Sequence, residues 1–200
     1  MIDITRTTTQ LLNDLQDPQN QQVWETLDSR YRPVIVNFVR KLGLNDADAA
    51  DVAQETLIQF IREYRDGRYD RERGRLRSWI ITIARYKVAA ARRSKARGGG
   101  SGRGDSVIVN LEDEAELTRV WEAERRTVLL RQAMEQLKAT SRASDKTIQA
   151  FELLVTRHMA APDVAEALEM GVHDVYLAKS RCTARLRKIL DQLEAAYAGE

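Results

Sequence analysis

One cysteine, three prolines, two histidines and few aromatic residues stand among the 200 positions of this chain. A lone cysteine excludes an internal disulfide and fits a reducing compartment. Scarce proline and aromatics beside plentiful Ala, Leu, Glu and Arg point to an all-α chain. The two histidines, His158 and His173, lack metal-ligand spacing, and no nucleophile stands beside a base, so neither an enzyme nor a cofactor is expected. No run reaches about 18 consecutive apolar residues, and residues 1–20 are polar without a signal-peptide core. The expectation is a soluble cytoplasmic protein with no membrane insertion. Lys and Arg total 32 against 30 Asp and Glu, a net charge of +2, so the position of charge matters more than its sum.

The segment Pro162 to Lys188, PDVAEALEMGVHDVYLAKSRCTARLRK, carries the clearest pattern. Proline suits a first helical turn, and Val164, Ala165 and Leu168 follow at helical spacing. Glu169-Met170-Gly171 interrupts the run, with Gly171 expected to supply the backbone freedom of a tight turn. Val175, Ala178, Cys182, Leu186 and Ile189 then mark one face of a second helix, which makes Cys182 a small core residue rather than a nucleophile. The other face presents His173, Leu177, Ser180, Arg181 and Lys188, with Tyr176 at its edge. This window fits a helix-turn-helix that reads a DNA groove, and it also fits a helical hairpin with a solvated basic face.

Gly98-Gly99-Gly100-Ser101-Gly102-Arg103-Gly104 divides the chain. Such a run cannot hold a helix, and it lacks the Gly-Lys-Ser/Thr ending of a phosphate-binding loop. Two helical domains are expected, 1–95 and 116–200, joined by a flexible linker over 96–115. In the first, Trp24, Leu27, Tyr31, Ile35, Phe38 and Leu42 mark one helix, which Gly43 ends. Asn45 or Asp46 can cap the next, with an apolar face of Ala50, Ala53, Leu57, Phe60, Ile61 and Tyr64. Its other face carries Asp48, Asp51 and Glu55, with Gln54 beside them and Val52 expected to be exposed among them. That strip suits either a basic partner or plain solvation near a helix N-terminus.

A third helix, from about Arg75 to Ala96, is expected to bury Leu76, Trp79, Ile80, Ile83 and Ala84. Outward it shows Arg77, Arg85, Arg92 and Arg93, followed by Lys95 and Arg97, and the loop before it adds Arg65, Arg68, Arg71, Arg73 and Arg75 beside Tyr69. Arginines interleaved with an aromatic suit a phosphate backbone and unstacked bases, although basic helix faces are also often merely solvated.

Three motifs in order now resemble a known family. Asp48-Ala-Ala-Asp-Val-Ala-Gln-Glu-Thr-Leu57 is similar to the DAEDLVQETF signature in region 2.2 of bacterial extracytoplasmic-function sigma factors. Leu76-Arg-Ser-Trp-Ile-Ile-Thr-Ile-Ala-Arg85 resembles their FRAWLxxIAR of regions 2.3 and 2.4, and Pro162 to Lys188 resembles region 4.2. The resemblance implies an alternative sigma factor that directs core RNA polymerase to promoter DNA. Asp48, Asp51, Val52, Gln54 and Glu55 then face the β′ clamp helices, and the second domain meets the β flap. Arg68, Arg71, Arg73, Arg75, Arg77, Trp79, Arg85, Lys87, Arg92 and Arg93 fall on the −10 element. His173, Tyr176, Leu177, Ser180, Arg181 and Arg185 fall on the −35 element. An anti-sigma factor becomes a candidate partner.

The chain departs from the pattern in places. The family's usual glycine in the region 4.2 turn is Glu169, Gly171 stands where Ser or Thr is common, and Tyr176-Leu177 replaces a more usual Lys-Ser pair. Two other functions compete on the residues alone: a dimeric helix-turn-helix regulator, which has no use for the acidic strip, and an RNA-binding or scaffold protein, which leaves the helix-turn-helix idle.

Overall fold

A computed structural model describes residues 8–17, 19–70, 75–97, 112–140 and 145–197. The glycine run and most of the linker lie outside these residues, as do Arg71 and Arg73. The described residues form eight α-helices and no strand. They are α1 (Thr8–Asp14), α2 (Gln21–Lys41), α3 (Asp46–Arg65), α4 (Leu76–Arg97), α5 (Glu114–Thr140), α6 (Asp145–Val155), α7 (Ala161–Leu168) and α8 (Val172–Ala196). The chain divides into two compact bodies. Of the described residues, those up to 128 together with 196 and 197 form one, and residues from 129 to 195 form the other. The division thus falls inside α5.

In the first body α2, α3 and α4 pack in sequence, because each carries an apolar stripe at three- and four-residue steps. Asn20 and Asn45 cap α2 and α3, their side-chain oxygens accepting from the Val23 and Asp48 N–H groups at 3.2 and 2.9 Å. Pro33 lies inside α2 and removes one backbone donor, yet the helix runs on because Tyr31, Val34, Ile35 and Phe38 are fully buried around it. Helices α2 and α3 end alike. Gly43 (φ 94°) and Gly67 (φ 70°) take the left-handed conformation, and the next N–H reaches back to Val39 and Glu63 oxygens at 3.2 and 2.9 Å.

Phe38 meets Trp121 of α5 edge to face, centroids 5.5 Å apart, so the first half of α5 completes this core together with Leu117 and Val128. Arg30 is fully buried and donates to the Ala196 carbonyl at 2.7 Å, while the Tyr197 hydroxyl donates to the Arg30 carbonyl at 2.9 Å. The acceptors matter, because a buried guanidinium without them costs several kcal/mol, about 3–5 when a partner is removed.

The second body gathers Ala150, Ala161, Val164, Ala165, Val175 and Ala178 as one core, with Cys182 buried on the same face of α8. The turn between α7 and α8 corrects one expectation. Glu169, not Gly171, is the left-handed residue (φ 50°, ψ 53°), and Met170 N–H donates to the Ala165 oxygen at 2.9 Å. Gly171 instead immediately precedes α8, its carbonyl accepting from Val175 N–H at 3.1 Å.

Candidate nucleic-acid interface

Three surfaces carry the residues singled out from the sequence. The first is the outer side of α3. Asp51, Gln54 and Glu55 are exposed there, and Asp48 is half-buried. Val52 is not exposed among them: it is 6 % exposed and faces the core, and Ala50 is exposed instead of buried. The exposed aliphatic residue is Ile58, at 42 %. It lies seven residues beyond Asp51, hence on the same helical face, a spacing that could have revealed it. Ile58, Leu57 and Trp24 floor a groove of about 390 Å³ between α2 and α3, rimmed by Gln21, Glu25, Asp28, Arg32 and Gln54. Arg32 is forked on Asp28 at 2.8 and 2.9 Å, a hydrogen bond that holds its pKa above the ordinary value.

The second surface is the cleft where the end of α3 meets the start of α4. It encloses about 460 Å³ and is lined by Gln59, Glu63, Asp70, Arg75, Ser78, Trp79, Thr82, Ile83 and Tyr86. Trp79 is a wall of this cleft rather than core. It is half-buried, and its indole N–H donates to Glu63 Oε2 at 2.8 Å. Tyr69 meets it edge to face at 5.6 Å, and Tyr64 lies 5.9 Å from Tyr69. Arg75 is exposed at the cleft, just before the first turn of α4, and its carbonyl accepts from Ser78 N–H at 3.0 Å.

The other cations of α4 do not converge on that cleft. Arg77 pairs with Glu122 of α5 at 2.5 Å, and Arg85 lies over the Tyr86 ring and 3.8 Å from Glu114. Lys87 pairs with Glu55 at 2.9 Å, Lys95 pairs with Asp48, and Arg92 donates to the Leu42 carbonyl. Arg68 is exposed, 3.9 Å from Asp66, and Arg93 is exposed. Acids expected on one interface are therefore joined to bases expected on another, across helices 32 and 47 residues apart in sequence.

The third surface is the outward face of α8. His173, Ser180, Arg181 and Arg185 are exposed, Tyr176 is 55 % exposed and Leu177 is half-buried. Opposite them Val175, Ala178 and Cys182 are buried, so one helix separates a polar reading face from a packed face. Burial pushes the Cys182 thiol pKa up, and the Arg185 charge partly opposes the shift. A thiol held protonated in this way is a packing group, as its position predicts.

Among the described residues no His, Cys, Asp or Glu cluster could hold a metal ion, and no helix is long and apolar enough to cross a membrane.

Residues 27–98 match the family model of sigma-70 region 2, a span that includes α3, the cleft and α4. Among solved structures, the chain is similar to that of CnrH in complex with the cytosolic domain of CnrY. The identity is 21 %, the alignment covers 90 % of this chain and 95 % of that one, and the TM-score is 0.35. No curated protein matches this sequence.

Proposed function

We propose that this chain is an alternative sigma factor of the extracytoplasmic-function type, which binds core RNA polymerase and directs it to promoters with −10 and −35 elements. The observation that carries the reading is the region 2 match over residues 27–98, whose span holds both an acidic, Ile58-centred face and an aromatic cleft. In this reading residues 1–95 dock on the β′ clamp helices and open the −10 element, 96–115 connect, and 116–200 meet the β flap and read the −35 element. Asp51, Gln54 and Glu55 with Ile58 are the docking face. Trp79 and Arg75 receive the melted strand, whose unstacking the aromatic wall offsets without nucleotide hydrolysis. His173, Tyr176, Ser180 and Arg181 face the −35 groove, and an anti-sigma factor is a partner for the same faces.

The test is association of the full chain with core polymerase. Reversing Asp51 and Glu55 to Lys places like charge against a basic partner, and affinity should fall about 100-fold or more with circular dichroism unchanged. Because Glu55 also pairs with Lys87, Asp51→Lys alone serves as the variant that leaves that pair intact. Unchanged affinity in both variants would refute the docking face.

A further inference from the structure

Glu63 is a carboxylate at the seam of α3 and α4 that the motifs did not single out. Its Oε2 accepts from the Trp79 indole N–H at 2.8 Å, and its Oε1 accepts from the Gln59 amide at 2.9 Å. Each carboxylate oxygen has room for two donors, so each keeps one lone pair for another. Asp70 lines the same cleft, and Arg75 is the cation at its edge. Tyr69, edge to face with Trp79 at an interplanar angle of 83°, braces the indole from a second direction. The result is a flat wall held from two sides, with acceptor-only groups set beside it.

We infer that Glu63 is the specificity-determining residue of this cleft, fixing Trp79 as a stacking wall and selecting an extruded DNA base that carries an exocyclic amino group over thymine. The inference rests on the reading of the cleft as the place where a melted strand is held. Adenine N6, cytosine N4 and guanine N2 each offer an N–H to a carboxylate oxygen. Thymine offers none. Its single edge donor, N3–H, lies between two carbonyl oxygens that would meet the Glu63 and Asp70 carboxylates with charge of the same sign. Arg75 suits the phosphate of the same nucleotide, a contact blind to the base.

The experiment titrates the full chain with fluorescent single-stranded oligonucleotides that carry one base, A, C, G or T, flanked by abasic sites, so that the phosphates are constant. The wild type should bind the T oligonucleotide about tenfold more weakly than the C oligonucleotide, the scale of one good base contact. Glu63→Gln keeps an oxygen for the indole N–H but exchanges an acceptor for a donor. It should bring the C-to-T ratio to within about twofold, with T gaining in absolute affinity. Trp79→Ala should weaken all four together. Glu63→Asp, with circular dichroism alongside, guards against misfolding and should retain part of the preference. If Glu63 were merely structural, Glu63→Gln would weaken all four equally and leave the ratio intact, which would overturn the inference. Equal binding of C and T by the wild type would also overturn it while the cleft still held DNA. Binding indifferent to both Trp79→Ala and Arg75→Ala would overturn the underlying reading as well.

Discussion

Glu169 holds at the end of α7 a left-handed conformation that the ends of α2 and α3 give to glycine. Helices α2 and α3 close on Gly43 and Gly67 at φ 94° and 70°, and α7 closes on Glu169 at φ 50° by the same pair of backward hydrogen bonds. A β-carbon in the left-handed region costs about 1–2 kcal/mol. Glu169→Gly removes that strain but gives the unfolded chain more freedom, an opposing effect of about 0.4–1 kcal/mol. The net expectation is a gain of roughly 1 kcal/mol in the local stability of the α7–α8 turn. Glu169→Ala is the control. It keeps the β-carbon and removes only a carboxylate at a helix C-terminus, an exposed dipole contact of about 0.3 kcal/mol.

Because the chain has two bodies, a single melting temperature mixes them, and amide hydrogen exchange in α7 and α8 is the sharper assay. Protection there should rise about fivefold in Glu169→Gly, less than twofold in Glu169→Ala, and not at all in α2 to α4. Gly171→Ser should add only a few tenths of a kcal/mol, since Gly is itself a tolerated N-cap. The new β-carbon meets only the exposed Asp174 carboxylate, at 3.0 Å, and that side chain can turn away. If Glu169→Gly and Glu169→Ala protect the turn equally, the backbone strain assigned to Glu169 is absent.

Arg181→Ala should cost either about 1–3 kcal/mol of discrimination at one position of a mapped −35 element or about one unit of salt slope, read by anisotropy titration at several salt concentrations. The same substitution at Arg93, which is exposed on α4, should leave −35 binding unchanged in that titration. Cys182 should react with iodoacetamide far more slowly than an unfolded cysteine near pH 8, as its raised pKa and burial require. Because the folded pKa lies above the unfolded one, the thiol's contribution is complete below the ordinary thiol range and is lost as pH rises through it. Cys182→Ala should therefore flatten the alkaline limb of a stability-against-pH curve.

Much of this was legible in the sequence where one face of a helix is apolar throughout. Residues of α2, α3 and α8 showed their stripes, and Asn45 announced a cap. Helix α5 did not, because its buried residues are Leu117, Trp121 and Val128 in one body and Leu129, Ala133 and Leu137 in the other. The stripe steps by one residue at the division, a turn of about 100° around the axis, and no single periodicity spans it. Val52 misled because an aliphatic residue between two acids looks exposed, whereas the helical angle sets it beside Ala49, Ala53 and Thr56, all buried. Trp79 misled in the opposite sense. Its size and its place between Leu76 and Ile80 suggested core, but it sits at the stripe's edge, where an indole finds both a carboxylate and a cleft. Glu63 gave no signal at all, since its role depends on a side chain 16 residues away.

The cations of α4 raise a question of exchange that the sequence could not pose. Arg77 is held at 2.5 Å by Glu122, which Arg125 also contacts at 3.1 Å, and both ends of the Arg77 pair are mostly shielded from water. All three residues lie in the first body. A phosphate reaching Arg77 must therefore displace a carboxylate, and the gain is the difference between two ion pairs rather than the whole of one. Glu122→Gln removes the competitor's charge while keeping an oxygen for Arg125. Single-stranded DNA should then bind more tightly, and the logarithmic salt slope should steepen by about 0.7, the value for one added phosphate contact on a single strand. Arg77→Gln in the same background should return the slope to its starting value, because the freed cation is the source of the change. Equal slopes for wild type and Glu122→Gln would mean that Arg77 stays with α5 when DNA binds, and that its place on α4 serves packing against that helix instead.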